Sequence, residues 1–123
     1  MKNILTAGLL SFFVLHSSAQ LMLKNTQWKG QVMGFELKLD FKEDTIYMYR
    51  NMTGPTDMFA FSQSNDTLIL TKIRGSGVCP INSKGIYRIE TLEYGEKFHF
   101  RLINEECPAR GGAFTTNPFE KMH

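Results

Sequence analysis

The sequence predicts an all-β protein, a small eight-stranded up-and-down antiparallel barrel. Three observations predict it. Apolar side chains recur at every second position, most plainly where Phe35, Leu37, Leu39 and Phe41 alternate with Glu36, Lys38 and Asp40, which is the period of a strand with one buried face. Runs of this kind are separated by compact turn signals, and no segment after residue 20 carries the pattern of a helix longer than a turn or two. Eight short strands can stack as a sandwich or close into a barrel. Closure is favoured because it removes unpaired edges that would invite aggregation.

The elements follow in order. Gln27 to Met33 is the first strand and Phe35 to Phe41 the second; Lys42-Glu43-Asp44 turns the chain into a third, Thr45 to Arg50. Asn51 to Asp57, with Gly54-Pro55, is a connection, and Met58 to Gln63 and Thr67 to Ile73 form a hairpin about Ser64-Asn65-Asp66. Arg74 to Lys84 is the longest irregular stretch. Strands resume at Gly85 to Glu90 and Lys97 to Ile103, joined by Glu93 to Glu96. Asn104 to Gly111 reads as a single helical turn, with Asn104 as its cap, Glu105 and Glu106 at its positive end and Gly111 as its stop. Ala113 to Lys121 closes the set, broken by Pro118 and so placed at an edge or a bulge.

The first nineteen residues stand outside this domain. Lys2 precedes an apolar run from Ile4 to Leu15, and Ser17-Ser18-Ala19 supplies the small side chains of a signal peptidase site, so residues 1–19 read as a signal peptide and 20–123 as the mature domain. A run of about twelve residues rises roughly 18 Å as a helix, short of the ~30 Å hydrocarbon core of a bilayer. The expected product is exported to a periplasm or to the medium, spans no membrane and is a monomer.

Export gives the two cysteines their meaning. Cys79 and Cys107 are the whole thiol inventory, and in an oxidising compartment an even pair reads as one disulfide. Two lone cysteines do not make a closed zinc site. Fourteen basic residues against twelve acidic ones leave neither a nucleic-acid-binding arm nor an acidic tail. Ten Phe and four Tyr beside 21% charged residues exclude a disordered chain.

Catalytic and cofactor signals are thin. Beyond the signal peptide only His99 and His123 remain, one read as outward-facing on its strand and one terminal, so no nucleophile has a placed base. Glu105 and Glu106 read as solvated residues at a helix start, and the scattered Met48, Met52 and Met58 as core filling and not as copper ligands. No glycine-rich loop opens a helix, which leaves nucleotide binding unsupported. No catalytic residue, metal or cofactor is expected.

Five short motifs in order carry a resemblance. Trp28-x-Gly30, a cysteine at position 79, Gly85-x-Tyr87-x-Ile89, the strand Phe98-x-Phe100-x-Leu102, and Glu105-x-Cys107-x-x-Arg110 resemble the small exported bacterial lipocalin-like proteins. Glu105 stands where that pattern has Asp, and Phe119 where a second tryptophan is common. The resemblance implies a lipocalin-type barrel and a Cys79–Cys107 bridge. It also implies that Trp28 packs beneath Arg110 and closes one end of the barrel.

Two functions fit. The first is a barrel that binds a small apolar or amphipathic ligand within a cavity lined by Phe35, Leu37, Leu39, Phe41, Tyr87, Ile89, Phe98 and Phe100; the same side chains in a filled barrel would leave no room. Arg50, Lys72 or Arg88 near a strand end would meet an anionic headgroup. The second is a protein-binding barrel, such as a periplasmic inhibitor of a protease or of lysozyme, which would engage its partner through Arg74 to Lys84 or the mature N-terminus, Gln20 to Lys24.

Overall fold

A computed structural model describes residues 20–50 and 54–123; the expected signal peptide, residues 1–19, lies outside them. The chain forms β1 (Gln27–Val32), β2 (Phe35–Phe41), β3 (Thr45–Tyr49), β4 (Pro55–Ser64), β5 (Thr67–Gly75), β6 (Lys84–Leu92), β7 (Lys97–Glu105), the helix α1 (Pro108–Thr115) and β8 (Phe119–Lys121). The strands close as β1-β2-β3-β4-β5-β6-β7-β8, each antiparallel to its neighbours. This is the expected eight-stranded up-and-down barrel.

Alternation decides which side chains fill it. Trp28 and Val32 of β1, Leu37, Leu39 and Phe41 of β2, and Leu68 and Leu70 of β5 all point inward and are buried. Tyr87 and Ile89 of β6 and Phe98 and Phe100 of β7 complete the ring. Phe98 touches Trp28 edge-on at 4.8 Å, Phe100 at 4.9 Å and Phe119 in a stack at 5.7 Å. Gly30 belongs to the same inward row, and a Cβ there would stand 2.8 Å from the Phe119 ring; the missing side chain lets the closing strand come down onto β1.

The two ends of the barrel differ. At one end the N-terminal segment folds across the opening: Leu23 is fully buried, its N–H donates to Gln63 Oε1 at 3.0 Å, and Gln63 Nε2 donates to the Leu21 carbonyl at 2.7 Å. At the other end stand the β1–β2 turn, the loop between β5 and β6, and α1. The disulfide Cys79–Cys107, with Cα atoms 5.7 Å apart, ties that loop to the start of α1.

Several boundaries depart from expectation. β4 begins at Pro55, inside the expected connection. β7 continues to Glu105 because Ile86 pairs with Asn104 and Gly85 with Glu105, so Asn104 is a ladder residue and not a cap. The helix starts one turn later, behind Cys107, where Pro108 sits in the first turn that tolerates it. It runs through Gly111, Gly112 and Ala113, which leaves β8 only three residues after Pro118. Leu102, which continues the alternation of Phe98 and Phe100, is 56% exposed beside a shift in the β6–β7 register between Ile86 and Tyr87.

Candidate functional site

A cavity of about 500 Å3 lies at the end covered by α1. Val32, Phe35, Leu37, Phe59, Ala113 and Phe114 supply most of its apolar wall. Met33 and Val78 also line it and are 88% and 83% exposed. Arg50 lies at this rim with its guanidinium 4.4 Å from the centre of the Phe35 ring.

Of the eight side chains expected to line a cavity, Phe35 and Leu37 do so. The other six are corrected. Leu39, Phe41, Tyr87, Ile89, Phe98 and Phe100 are packed against one another and against Trp28, Phe114 and Phe119. The physical reason is size: an eight-stranded barrel is only just wide enough for its own side chains, and large aromatics on neighbouring strands fill its middle. The cavity lies beneath the helix and the long loop.

Trp28 and Arg110 are likewise not brought together. Trp28 lies near the start of β7, against Phe98, and its indole N–H donates to Thr26 Oγ1 at 2.6 Å. Arg110 lies at the far end of the same strand, beside Glu105. Phe98 and Glu105 are seven residues apart on β7, about 23 Å at strand rise, so the two occupy opposite ends of the barrel. Thr26 accepts from the tryptophan instead, and the ring 5.5 Å from the Arg110 guanidinium is Phe59.

Arg110 carries the densest polar contacts beneath the cavity. Its Nε and Nη2 donate to Glu105 Oε2 and Oε1 at 2.8 and 2.6 Å, and Nη2 also donates to the Ser83 carbonyl at 3.2 Å. Both side chains are 3% exposed. The Tyr87 hydroxyl donates to Glu105, and the Cys107 N–H donates to Glu105 Oε1 at 2.9 Å. Gly85 makes the room for this cluster: a Cβ there would lie 2.5 Å from Glu105 Oε2 and 2.9 Å from the Tyr87 ring. Glu105 is therefore a buried ion-pair partner, which corrects its reading as a solvated residue at a helix start.

Burial by itself raises the Glu105 carboxyl, but the hydrogen bonds from Arg110, Tyr87 and the Cys107 N–H together outweigh it and hold the group below the ordinary carboxylate range. Burial, and then donation to Glu105, push the Tyr87 phenol far above its ordinary value. At neutral pH the cluster is thus a carboxylate, a guanidinium and a neutral phenol. One atom is left over: Arg110 Nη1 is buried and has no hydrogen-bond partner among the described residues.

A second buried pair holds the cavity wall. Lys72 Nζ lies 3.3 Å from Asp57 Oδ1 and donates to the carbonyls of Gly77 and Cys79 at 3.0 and 2.8 Å, while Asp57 Oδ1 accepts from the Gly77 N–H at 3.0 Å. This pair was missed in the sequence. Lys72 continues the inward row Leu68-x-Leu70-x-Lys72, and Asp57 the row Asp57-x-Phe59, so parity alone carried the signal. Lys72 does not wait at the mouth for a headgroup, because its ammonium is already used.

The remaining chemistry-bearing residues are dispersed. His99 Nε2 lies 2.8 Å from the Thr115 carbonyl and His123 Nε2 2.8 Å from Glu96 Oε1. Among the described residues no group of three His, Cys, Asp or Glu side chains could hold a metal, and no helix is long and apolar enough to cross a membrane. Comparison with family models, with curated proteins and with solved structures finds no match to this chain.

Proposed function

We propose that this chain is an exported, lipocalin-like carrier, bacterial in origin, whose barrel binds a small apolar or amphipathic molecule beneath α1. One observation carries the reading: the mostly apolar cavity of about 500 Å3 whose lining includes the exposed Met33 and Val78. Its volume falls within the range of small-molecule sites, which are concave, mostly apolar and set with a few polar groups. The two buried ion pairs beside it are charge-neutral, Asp57 with Lys72 and Glu105 with Arg110, which suits a binding pocket better than a reactive centre. The disulfide fits a protein folded in an oxidising compartment, periplasmic or extracellular.

Native mass spectrometry of protein recovered from its source tests this most directly. The expected species is the chain from Gln20 onward with one retained small molecule, and a polarity-sensitive dye should bind the emptied protein one to one. A well-folded protein that binds no member of a broad lipid and dye panel would remove the carrier reading.

A protein-binding role is the second reading, favoured by Val78 at 83% and Ile81 at 50% exposure in the loop between β5 and β6. The mature N-terminus supports it less, since Leu21 and Leu23 are folded into the barrel end. Substituting Val78 and Ile81 by Ser should abolish capture of a protease or lysozyme if this loop is the contact.

A further inference from the structure

We propose that Arg50 binds the headgroup of an anionic amphipath, a carboxylate on an apolar chain, at the exposed rim of the cavity. The inference rests on the carrier reading and specifies its ligand class. Of the three cations expected near a strand end, the fold brings Arg50 alone to the cavity. Lys72 is 1% exposed, and its ammonium is held by Asp57 and two carbonyls. Arg88 lies on the exposed parity of β6, between the buried Tyr87 and Ile89. Arg50 both lines the cavity and is exposed.

Local structure explains the placement. Ile46, Met48 and Arg50 share one parity along β3 and the residue that follows it; Ile46 is buried and Met48 lines the cavity. Side chains at every second position of a strand share a face, so this row runs from the filled barrel to the cavity and ends in a cation. The Arg50 guanidinium is 4.4 Å from the centre of the Phe35 ring, itself part of the wall, which is within the range of cation–π attraction. That contact keeps the head of a long, rotatable side chain against the apolar lining.

Charge selects the headgroup. Asp57 is matched by Lys72 and Arg110 by Glu105. All twelve acidic side chains of the chain lie among the described residues, and none of the ion pairs there includes Arg50. The cavity and its flanking pairs therefore carry one net positive charge, placed at the solvent edge. An alkyl chain seated in the apolar part leaves its polar end at that edge. A carboxylate there stays partly hydrated, which avoids the cost of burying a charge, and it meets a planar fork of donors that matches its two oxygens. A quaternary ammonium at the same place meets a like charge, and an alcohol gains nothing from the sign.

The test displaces a bound, uncharged polarity-sensitive dye with three probes of one chain length at neutral pH, each below its micelle concentration: decanoate, decanol and decyltrimethylammonium. Wild-type protein should bind decanoate more tightly than the ammonium probe, and added salt should weaken decanoate while sparing decanol; neither readout needs a variant. Arg50→Gln should lower the ratio of decanoate to decanol affinity about tenfold, and Arg50→Glu should reverse the order of decanoate and the ammonium probe. Arg50 is exposed, so neither substitution opens the core, and thermal melts check that the fold is kept. Equal wild-type affinity for the two charged probes, decanoate binding insensitive to salt, or an unchanged decanoate-to-decanol ratio in Arg50→Gln would overturn the headgroup site and leave the carrier reading standing. Failure of the dye and all three probes to bind would overturn both.

Discussion

Glu105 and Arg110 meet side-on, five residues apart across the β7–α1 corner, with donor–acceptor distances of 2.6 and 2.8 Å and both side chains 3% exposed. The pair joins the last residue of a barrel strand to the helix that roofs the cavity. Tyr87 from β6 and the Ser83 carbonyl complete it, so one cluster fixes the positions of β6, β7 and α1 together.

Removing one member should therefore be severe. Glu105→Ala leaves the Arg110 guanidinium buried without its counter-charge, a change that typically costs 3–5 kcal/mol. Glu105→Gln keeps an acceptor and should cost less. Urea denaturation of the three proteins measures the order; a loss below about 1 kcal/mol for Glu105→Ala would show that the pair contributes little.

Stability should fall at both ends of the pH range. Glu105 has a folded value below its unfolded value of 4.5, so its contribution is present above about 4.5 and is lost as pH falls through the lowered folded value. Tyr87 is raised from 10.0, so its contribution is present below 10 and is lost as pH rises beyond it. Denaturation midpoints across pH should show a plateau between these limits, with a shallower acid limb in Glu105→Gln and a shallower alkaline limb in Tyr87→Phe. Unchanged limbs in both variants would contradict the assignment.

Reduction should act on the cavity as well as on stability. The Cys79–Cys107 bridge closes a separation of 28 residues, which corresponds to about 3–4 kcal/mol of chain entropy. Cys79 lines the cavity and Cys107 precedes α1, so cutting the bridge releases loop and helix from each other. Thermal melts and dye titrations with and without reductant should show a lower midpoint, and weaker dye binding at temperatures where the barrel is still folded.

Core and cavity substitutions should separate cleanly. Phe98→Ala opens a hole among Trp28, Phe100 and Phe119 and should cost about 3–5 kcal/mol with little effect on dye affinity in the folded protein. Phe35→Ala, at the half-buried cavity wall, should cost less stability and change dye affinity more. The reverse ordering would relocate the binding site to the barrel's middle.

The sequence by itself determined the architecture. Alternation from Phe35 to Phe41 and from Lys97 to Ile103, with turns at Lys42 to Asp44, Ser64 to Asp66 and Glu93 to Glu96, specifies strands, faces and antiparallel order, because side-chain direction along a strand is a local property of the backbone. The same parity places Lys72 on the inward row of its strand, whereas Asp57 joins such a row only because β4 begins at Pro55. Tertiary structure decided what those inward residues do. Whether Phe98 lines a space or fills one depends on rings from β1, β7 and β8 meeting at one level. Glu105 is an ion-pair partner because the helix begins at Pro108 and swings Arg110 back onto the end of β7. Trp28 and Arg110 lie apart for a related reason: strand direction puts positions 98 and 105 of β7 at opposite ends of the barrel, and each end is closed by different pieces of chain. The cavity depends on how a loop, a disulfide and a helix of eight residues cover one end, and no periodicity in the chain encodes that volume.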